Sequence, residues 1–188
     1  MSSSARSEVL SRMALSCVAA VSLCVAACDT APRTHSDRQV LTIRSTDAMA
    51  EFKRADPSLQ RMLDKAYGYA IFPSVGKGAV GVGGAYGRGE VYEGSTMVGY
   101  CDLSQGTIGF QLGGQEYMEL IVFETKVALD RFKSNTFEFS GQASAVAVRS
   151  GAAATAPYEN GVAVFTATKA GLMFEASIGG QRFTYQPK

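Results

Sequence analysis

GKGAVGVGGAYGRGEV, residues 76–91, is the stretch on which the fold turns: seven of its sixteen residues are glycine. At that density a helix is untenable, because each interior glycine costs a helix about 1 kcal/mol relative to alanine. Val80, Val82 and Val91 alternate with the glycines, the period of strands that bury one face. A run of this kind reads as strands that approach one another, or a neighbouring backbone, more closely than a Cβ would allow. Gly81 to Gly87 also invites a phosphate-cradle reading, but that chemistry needs a helix N-terminus after the glycine turn. Glu90-Val91-Tyr92 and Met97 to Tyr100 follow instead, and both are β-type. Ser74 and Lys77 have the spacing of a serine–lysine acylation pair. That pair belongs on a helical turn, which Gly76 and Gly78 oppose. The glycines are read as structural, and Gly83 or Gly84 is expected to sit where a side chain would clash or where φ is positive.

Working outward, thirteen of the chain's twenty glycines fall between Gly76 and Gly114, so the strand-rich region extends well past the quoted stretch. Tyr69 to Pro73 predicts a strand with Pro73 at an edge or strand end, and Tyr117 to Phe123 a strand buried on both faces. Upstream, residues 46–55 predict a helix. Asp56 and Pro57 are an N-cap and first residue for a second one, whose Leu59, Met62, Leu63 and Ala66 share a face, with Gly68 to end it. Val40, Leu41 and Ile43 are read as a brief strand or staple. Downstream come a helix over 125–133, half-buried strand character at Phe137, Phe139 and 143–148, and a loop over 150–157. Strands over 162–168 and 171–178 meet at Lys169-Ala170, and a turn at Gly179-Gly180 leads to a closing strand over 182–185. The expected fold class is α+β: N-terminal helices followed by a glycine-rich, strongly curved, barrel-like antiparallel sheet.

At the other end of the chain, Arg6 and Arg12 precede an apolar run from Met13 to Val25, and Val25-Ala26-Ala27-Cys28 closes it. This is the layout of a secretory leader with a small-residue cleavage site. The cysteine directly after it resembles a bacterial lipobox, in which Cys28 becomes the lipidated first residue. The apolar run is shorter than the ~20 residues that span a bilayer. Residues 1–27 are therefore read as a lipoprotein signal peptide, 28–44 as a lipidated tether and 45–188 as the domain. The expected location is the bacterial cell envelope, anchored to a membrane and facing the periplasm or exterior.

Removing the leader takes two basic residues and one acidic residue, leaving sixteen of each among 161 residues. Zero net charge excludes a nucleic-acid binder that works by neutralising phosphates. Cys17 and Cys24 leave with the leader and Cys28 takes the lipid, so Cys101 has no partner for an intramolecular disulfide. The only histidine, His35, lies in the tether, so no histidine triad and no His/Cys metal cluster can be assembled from the domain. No cofactor, metal or catalysis is expected. The candidate residues are instead basic and aromatic. Lys53, Arg54, Arg61, Lys65, Lys77 and Arg88 are candidates for lipid headgroups, each worth about 1 kcal/mol near an anionic surface. Tyr67, Tyr69, Phe72 and Tyr86 are candidates for an apolar groove.

Three stretches carry a family resemblance: KAYGYAIFP at 65–73, the quoted glycine stretch at 76–91, and GTIGFQLGGQ at 106–115. Together with the later phenylalanine strand and Lys169 to Met173, they are similar to the SYLF domain over residues 45–186. The resemblance implies lipid binding, with anionic phosphoinositide headgroups bound by eukaryotic members and actin by some of them. Affinity for lipid or membrane, with anionic phospholipid as the partner, is the part that transfers to a secreted bacterial lipoprotein. A structural or protein-interaction module of the envelope without a dedicated small ligand is the alternative. Binding of the unlipidated domain to vesicles separates the two.

Overall fold

The computed structural model describes residues 30–80, 82–108, 113–140, 143–168 and 176–188. Cys28, the leader and the Lys169–Met173 turn lie outside the described residues. Helix α1 runs from His35 to Ala55, so its first half occupies the segment read as a tether and brief strand. Thr34 caps it, accepting from Asp37 N at 3.0 Å. Its buried stripe is Leu41, Ser45, Ala48 and Phe52. A serine in the middle of that stripe hid the periodicity. A short helix α2, Leu59–Leu63, follows. It stops before Gly68, which instead opens strand β1. A Cβ there would run into the Tyr92 carbonyl oxygen.

The strands are β1 Gly68–Val80, β2 Val82–Glu93, β3 Thr96–Ile108, β4 Gly113–Phe123, β5 Ser144–Ala147, β6 Val162–Thr168, β7 Ala176–Ser177 and β8 Gln181–Pro187. Helix α3, Lys126–Lys133, follows β4, and the single turn α4, Ala152–Thr155, follows β5. The helices are therefore not confined to the N-terminus, and the 150–157 loop contains one of them. The sheet runs β5-β6-β4-β1-β2-β3-β8 and is extended past β5 by the two-residue β7. Its pairs are antiparallel except β5 with β6. Phe137 and Phe139 flank an isolated bridge, Glu138 with Arg182, rather than lying in a strand. The sheet is not closed into a barrel. Pro73 sits near its middle, in β1 between β4 and β2, where the register of both ladders shifts before Val75. An irregularity of this kind accommodates the proline's missing donor.

The two faces bury different things. One face carries Phe72, Val75, Leu103, Ile121, Phe123 and Phe183, with α3 contributing Leu129 and Phe132. Ring centroids of Phe132 lie 5.0 Å from Phe123 and 5.1 Å from Phe183. The other face carries Ile71, Met118, Leu120, Val122 and Phe165 beneath α1, α2 and α4. Residues Tyr117 to Phe123 are buried throughout, as a strand covered on both sides should be. The second layer is tied at Asp56, which is 1% exposed. Its carboxylate accepts from Ser58 N at 2.9 Å, Ser58 Oγ at 2.7 Å, Gly151 N at 3.0 Å and Ala153 N at 2.6 Å. Burial raises its pKa, but these bonds prevail and hold it below the usual carboxylate value.

The glycines act at close approaches. At Gly89 a Cβ would meet Ile71 O and, at 2.8 Å, Phe72 Cδ1; at Gly99 it would meet Gln186 O and the Tyr185 ring at 2.5 Å. Gly84, one of the two glycines expected at a clash or a positive φ, has no positive φ, and a Cβ there would press on Gln105 O at 3.1 Å, a milder approach than at Gly89 or Gly99. Gly89→Ala should therefore cost about 1–3 kcal/mol of stability by overpacking. Gly106→Ala, with nothing within 4 Å of its would-be Cβ, should cost less than about 0.5 kcal/mol. Urea denaturation of the two variants checks this, and equal losses would refute the close-approach role.

Candidate functional site

Helix α1 crosses the outer faces of β1 and β2, and what lies beneath its first half is polar. Side chains on β2 alternate, so Tyr86, Arg88, Glu90 and Tyr92 point outward while Ala85 and Val91 enter the core. Glu90 is fully buried. Its Oε1 accepts from Thr42 Oγ1 on α1 at 2.6 Å, and its Oε2 accepts from Tyr92 Oη at 2.8 Å. Burial and then the bond to Glu90 push the Tyr92 hydroxyl well above its ordinary pKa. Tyr92 stacks on Tyr69 with centroids 4.8 Å apart. Ser45 Oγ is buried beneath the same helix without a partner.

Two clefts flank α1. The first, of about 490 Å³, is lined by Pro32, Asp37, Val40, Leu41, Arg44, Pro73, Ser74, Tyr86, Gly87 and Arg88. Arg88 Nε pairs with Asp102 Oδ1 at 3.1 Å, and its Nη2 donates to Tyr86 Oη at 3.2 Å. Arg44 makes no ion pair among the described residues. The second cleft, of about 320 Å³, is lined by Lys53, Tyr69, Tyr92, Met49 and their neighbours. The chain enters beside the first cleft. Thr30 Oγ1 lies 3.0 Å from Thr184 Oγ1, Ala31 N donates to Gln186 Oε1 at 3.0 Å, and Arg38 Nε donates to Pro32 O at 2.9 Å.

This arrangement sorts the candidates read from the sequence. Tyr86 and Arg88 share the first cleft, and Lys53 and Tyr69 share the second. Phe72 lines neither: it is fully buried in the phenylalanine core, on the opposite face of β1 from Ile71. Tyr67 is half-buried against that same core, with its backbone N–H bonded to Phe123 O. Lys53 and Arg54 sit in the last turn of α1, where cations suit the helix dipole. Arg61 and Lys65 are exposed beyond it, and Lys77 stands in β1 opposite Ala85 and Gln115. Val40, Ile43 and Arg44 went unselected because that segment reads as a brief strand. The i, i+3 pair of apolar residues beside an arginine was the available signal.

The cleft residues offer cations, aromatic rings, one acid and the Ser74 hydroxyl, which donates to Glu116 Oε1 at 2.9 Å. No cluster of three metal-ligating side chains exists among the described residues. None of the helices among them is long and apolar enough to cross a membrane. Cys101 is buried, and burial, reinforced by Asp102, Glu90 and Glu119, pushes its thiol well above the reactive range.

Comparison with known proteins agrees with the resemblance. The family described as Ysc84, Las17-binding protein actin regulator, matches residues 104–187. Beta cell expansion factor A of Aeromonas veronii is 28% identical over 154 residues, which is 81% of this chain and 59% of that protein. The chain thus spans about three fifths of the length of that relative.

The buried carboxylate makes α1 docking testable. Thr42→Val keeps the side chain's shape but removes a bond to a charged acceptor, so it should cost about 1–3 kcal/mol. Thr46→Val should cost far less, since Thr46 Oγ1 bonds only the carbonyl of Thr42 on its own helix. Hydrogen exchange of the α1 amides reads the difference. Equal protection in both variants would show that Glu90 does not hold the helix.

Proposed function

For a chain that carries a Ysc84/SYLF-family domain, we propose the role of a membrane-anchored, non-catalytic envelope module that docks on anionic lipid through the N-terminal half of α1 and the cleft beside it. One observation supports this reading above others. Ile43 is 61% exposed, Tyr86 51% and Val40 43%, and Val40 and Tyr86 line the same cleft as Arg44 and Arg88. Exposed apolar and aromatic side chains beside cations suit an interface in which the rings and methyls enter the acyl boundary and the cations meet phosphate. Asp37 lies in the cleft too, so the charge is mixed, and apolar insertion supplies much of the affinity.

Position supports the same reading. Pro32 lines this cleft, four residues after Cys28, and Thr30 bonds Thr184 nearby. Lipid on Cys28 would hold this end of the domain at the bilayer and raise the effective concentration of even weak contacts. A lipobox cysteine carries a diacylglycerol, whose two acyl chains anchor stably by themselves, so the docking face would set how the domain sits on the bilayer. The SYLF family is generally non-catalytic, and the proposal follows the family in this. Actin binding, named for the matched family, is not part of the proposal.

The test uses the domain of residues 29–188, which lacks both the apolar leader and Cys28. It should bind phosphatidylglycerol vesicles more strongly than phosphatidylcholine vesicles, and salt should weaken that preference, since exposed charges are screened within about 8 Å at physiological ionic strength. Adding Val40→Ser, Ile43→Ser, Arg44→Gln and Tyr86→Ser should reduce binding at least about tenfold, equivalent to 1.4 kcal/mol. Replacing Lys53, Arg54, Arg61 and Lys65 with Gln should do much less. No vesicle binding by the parent would remove the lipid reading. The reverse ranking of the two variant sets would move the docking face to the other end of α1. Metabolic palmitate labelling of the wild type, lost in Cys28→Ser, tests the anchor.

A further inference from the structure

Glu119 is fully buried on β4, on the same face as Tyr117, Ile121 and Phe123. Among the described residues no cationic side chain is bonded to it. Gln181, the first residue of β8, donates from Nε2 to Glu119 Oε2 at 3.0 Å and to Tyr117 Oη at 3.3 Å. In the sheet order, β8 stands four places from β4, with β1, β2 and β3 between them. The two side chains meet only because the sheet curls until its β8 edge comes back over β4. Gln181 is also a backbone junction: its N–H donates to Ile178 O and its carbonyl accepts from Phe139 N. The contact thus holds β8 and the 137–139 segment to the far side of the curl.

The cluster is incompletely bonded. Glu119 Oε1, Gln181 Oε1 and Thr166 Oγ1 are buried and unpartnered, and Thr166 faces Glu119 directly across the β4–β6 ladder. An ionised Glu119 would add a charge to a site whose bonded groups are one amide and one phenol. Among the described residues the titratable groups on this face are Tyr117 of β4, Cys101 of β3, Tyr185 of β8 and, before β1, Tyr67. Phe72 and Val75 of β1, Ala85 of β2, Thr166 of β6 and the Phe137 and Phe139 rings supply no charge. Asp102, paired with Arg88, and Glu90 lie on the other face of β2 and β3. A proton on Glu119 turns one of its oxygens into a donor in a cluster rich in free acceptors.

We propose that Glu119 is a proton-controlled latch: as the neutral acid it ties β8 to β4 across the curled sheet, and its ionisation releases β8 and the 137–139 segment. Burial, opposed by the bonds from Gln181 and Tyr117, raises its carboxyl from an ordinary value of 4.5 to about 8. The unfolded chain ionises first. The latch's stabilisation is therefore complete below about pH 4.5, declines as pH rises and is lost by about pH 8. Above that pH the folded protein itself carries the buried charge, and opening the edge relieves it.

Two measurements test the latch on the folded protein. A carbon-detected NMR titration of the Glu119 carboxyl should show its midpoint near pH 8 rather than near 4.5. Hydrogen exchange of the β8 amides should then be compared with Glu119→Gln, an uncharged isostere that keeps the shape. The wild-type to variant ratio, in which intrinsic base catalysis cancels, should be flat below about pH 4.5, rise by up to about tenfold per pH unit between there and about pH 8, and level off above it. A midpoint in the ordinary carboxylate range overturns the proposal, and the titration needs no variant to show it. So does a midpoint near 8 accompanied by a flat exchange ratio, because the charge would then be tolerated without release.

Discussion

The curl of the sheet depends on backbone lying where side chains would normally stand. Gly87 and Gly89 on β2 leave room for Val75 and for Phe72 with the Ile71 carbonyl, and Gly99 on β3 admits the Tyr185 ring and the Gln186 carbonyl of β8. With a Cβ at these points the strands could not lie so close, and the β8 edge would not return over β4. The curl makes a single interior for the phenylalanines of β1, β4 and β8 and for α3. It also turns the outer face of β2 into a surface that a polar helix can cross.

The two faces of β2 therefore do opposite work. Inward, glycine and small apolar residues let neighbouring strands close in. Outward, Tyr86, Arg88, Glu90 and Tyr92 present hydroxyls and charges to α1. Only the second half of α1 rests mainly on apolar contacts, through Ala48 and Phe52. Its first half has Leu41 against Ala31 and Tyr100, and Thr42 against Glu90. Such a helix keeps apolar residues to spare on its solvent side, and Val40 and Ile43 are those residues. Asp56 secures the other end by bonding to backbone 95–97 residues away, which keeps the turn between α1 and α2 in place.

Much of this was legible in the residues. The density of glycine from Gly76 to Gly114 announced β-structure and close approaches, and the continuous apolar run from Tyr117 announced a central strand. The SYLF resemblance was carried by the same stretches. The position of the glycine constraint was not legible: Gly84 and Gly89 look alike in sequence, and only the neighbouring carbonyls and rings distinguish them. The start of α1 was hidden because Ser45 interrupts its buried stripe and the segment also reads as a tether. Pro73 suggested an edge, yet a register shift lets it stand near the middle of the sheet. Phe72 reads as a groove candidate, and alternation along an irregular strand could not assign it to the core, where it lies. Contacts such as Glu119 with Gln181, 62 residues apart, exist only once the sheet has curled.

The central functional claim is that the face at the start of α1 meets lipid and the basic cluster beyond its C-terminal end does not. Nitroxide labels at positions 43 and 61, both exposed, report on the two faces without disturbing the core. On anionic vesicles, power-saturation depth measurements should place the label at 43 below the phosphates, rich in oxygen and shielded from aqueous nickel, and leave the label at 61 in water. A buried label at 61 with an aqueous one at 43 would contradict the account.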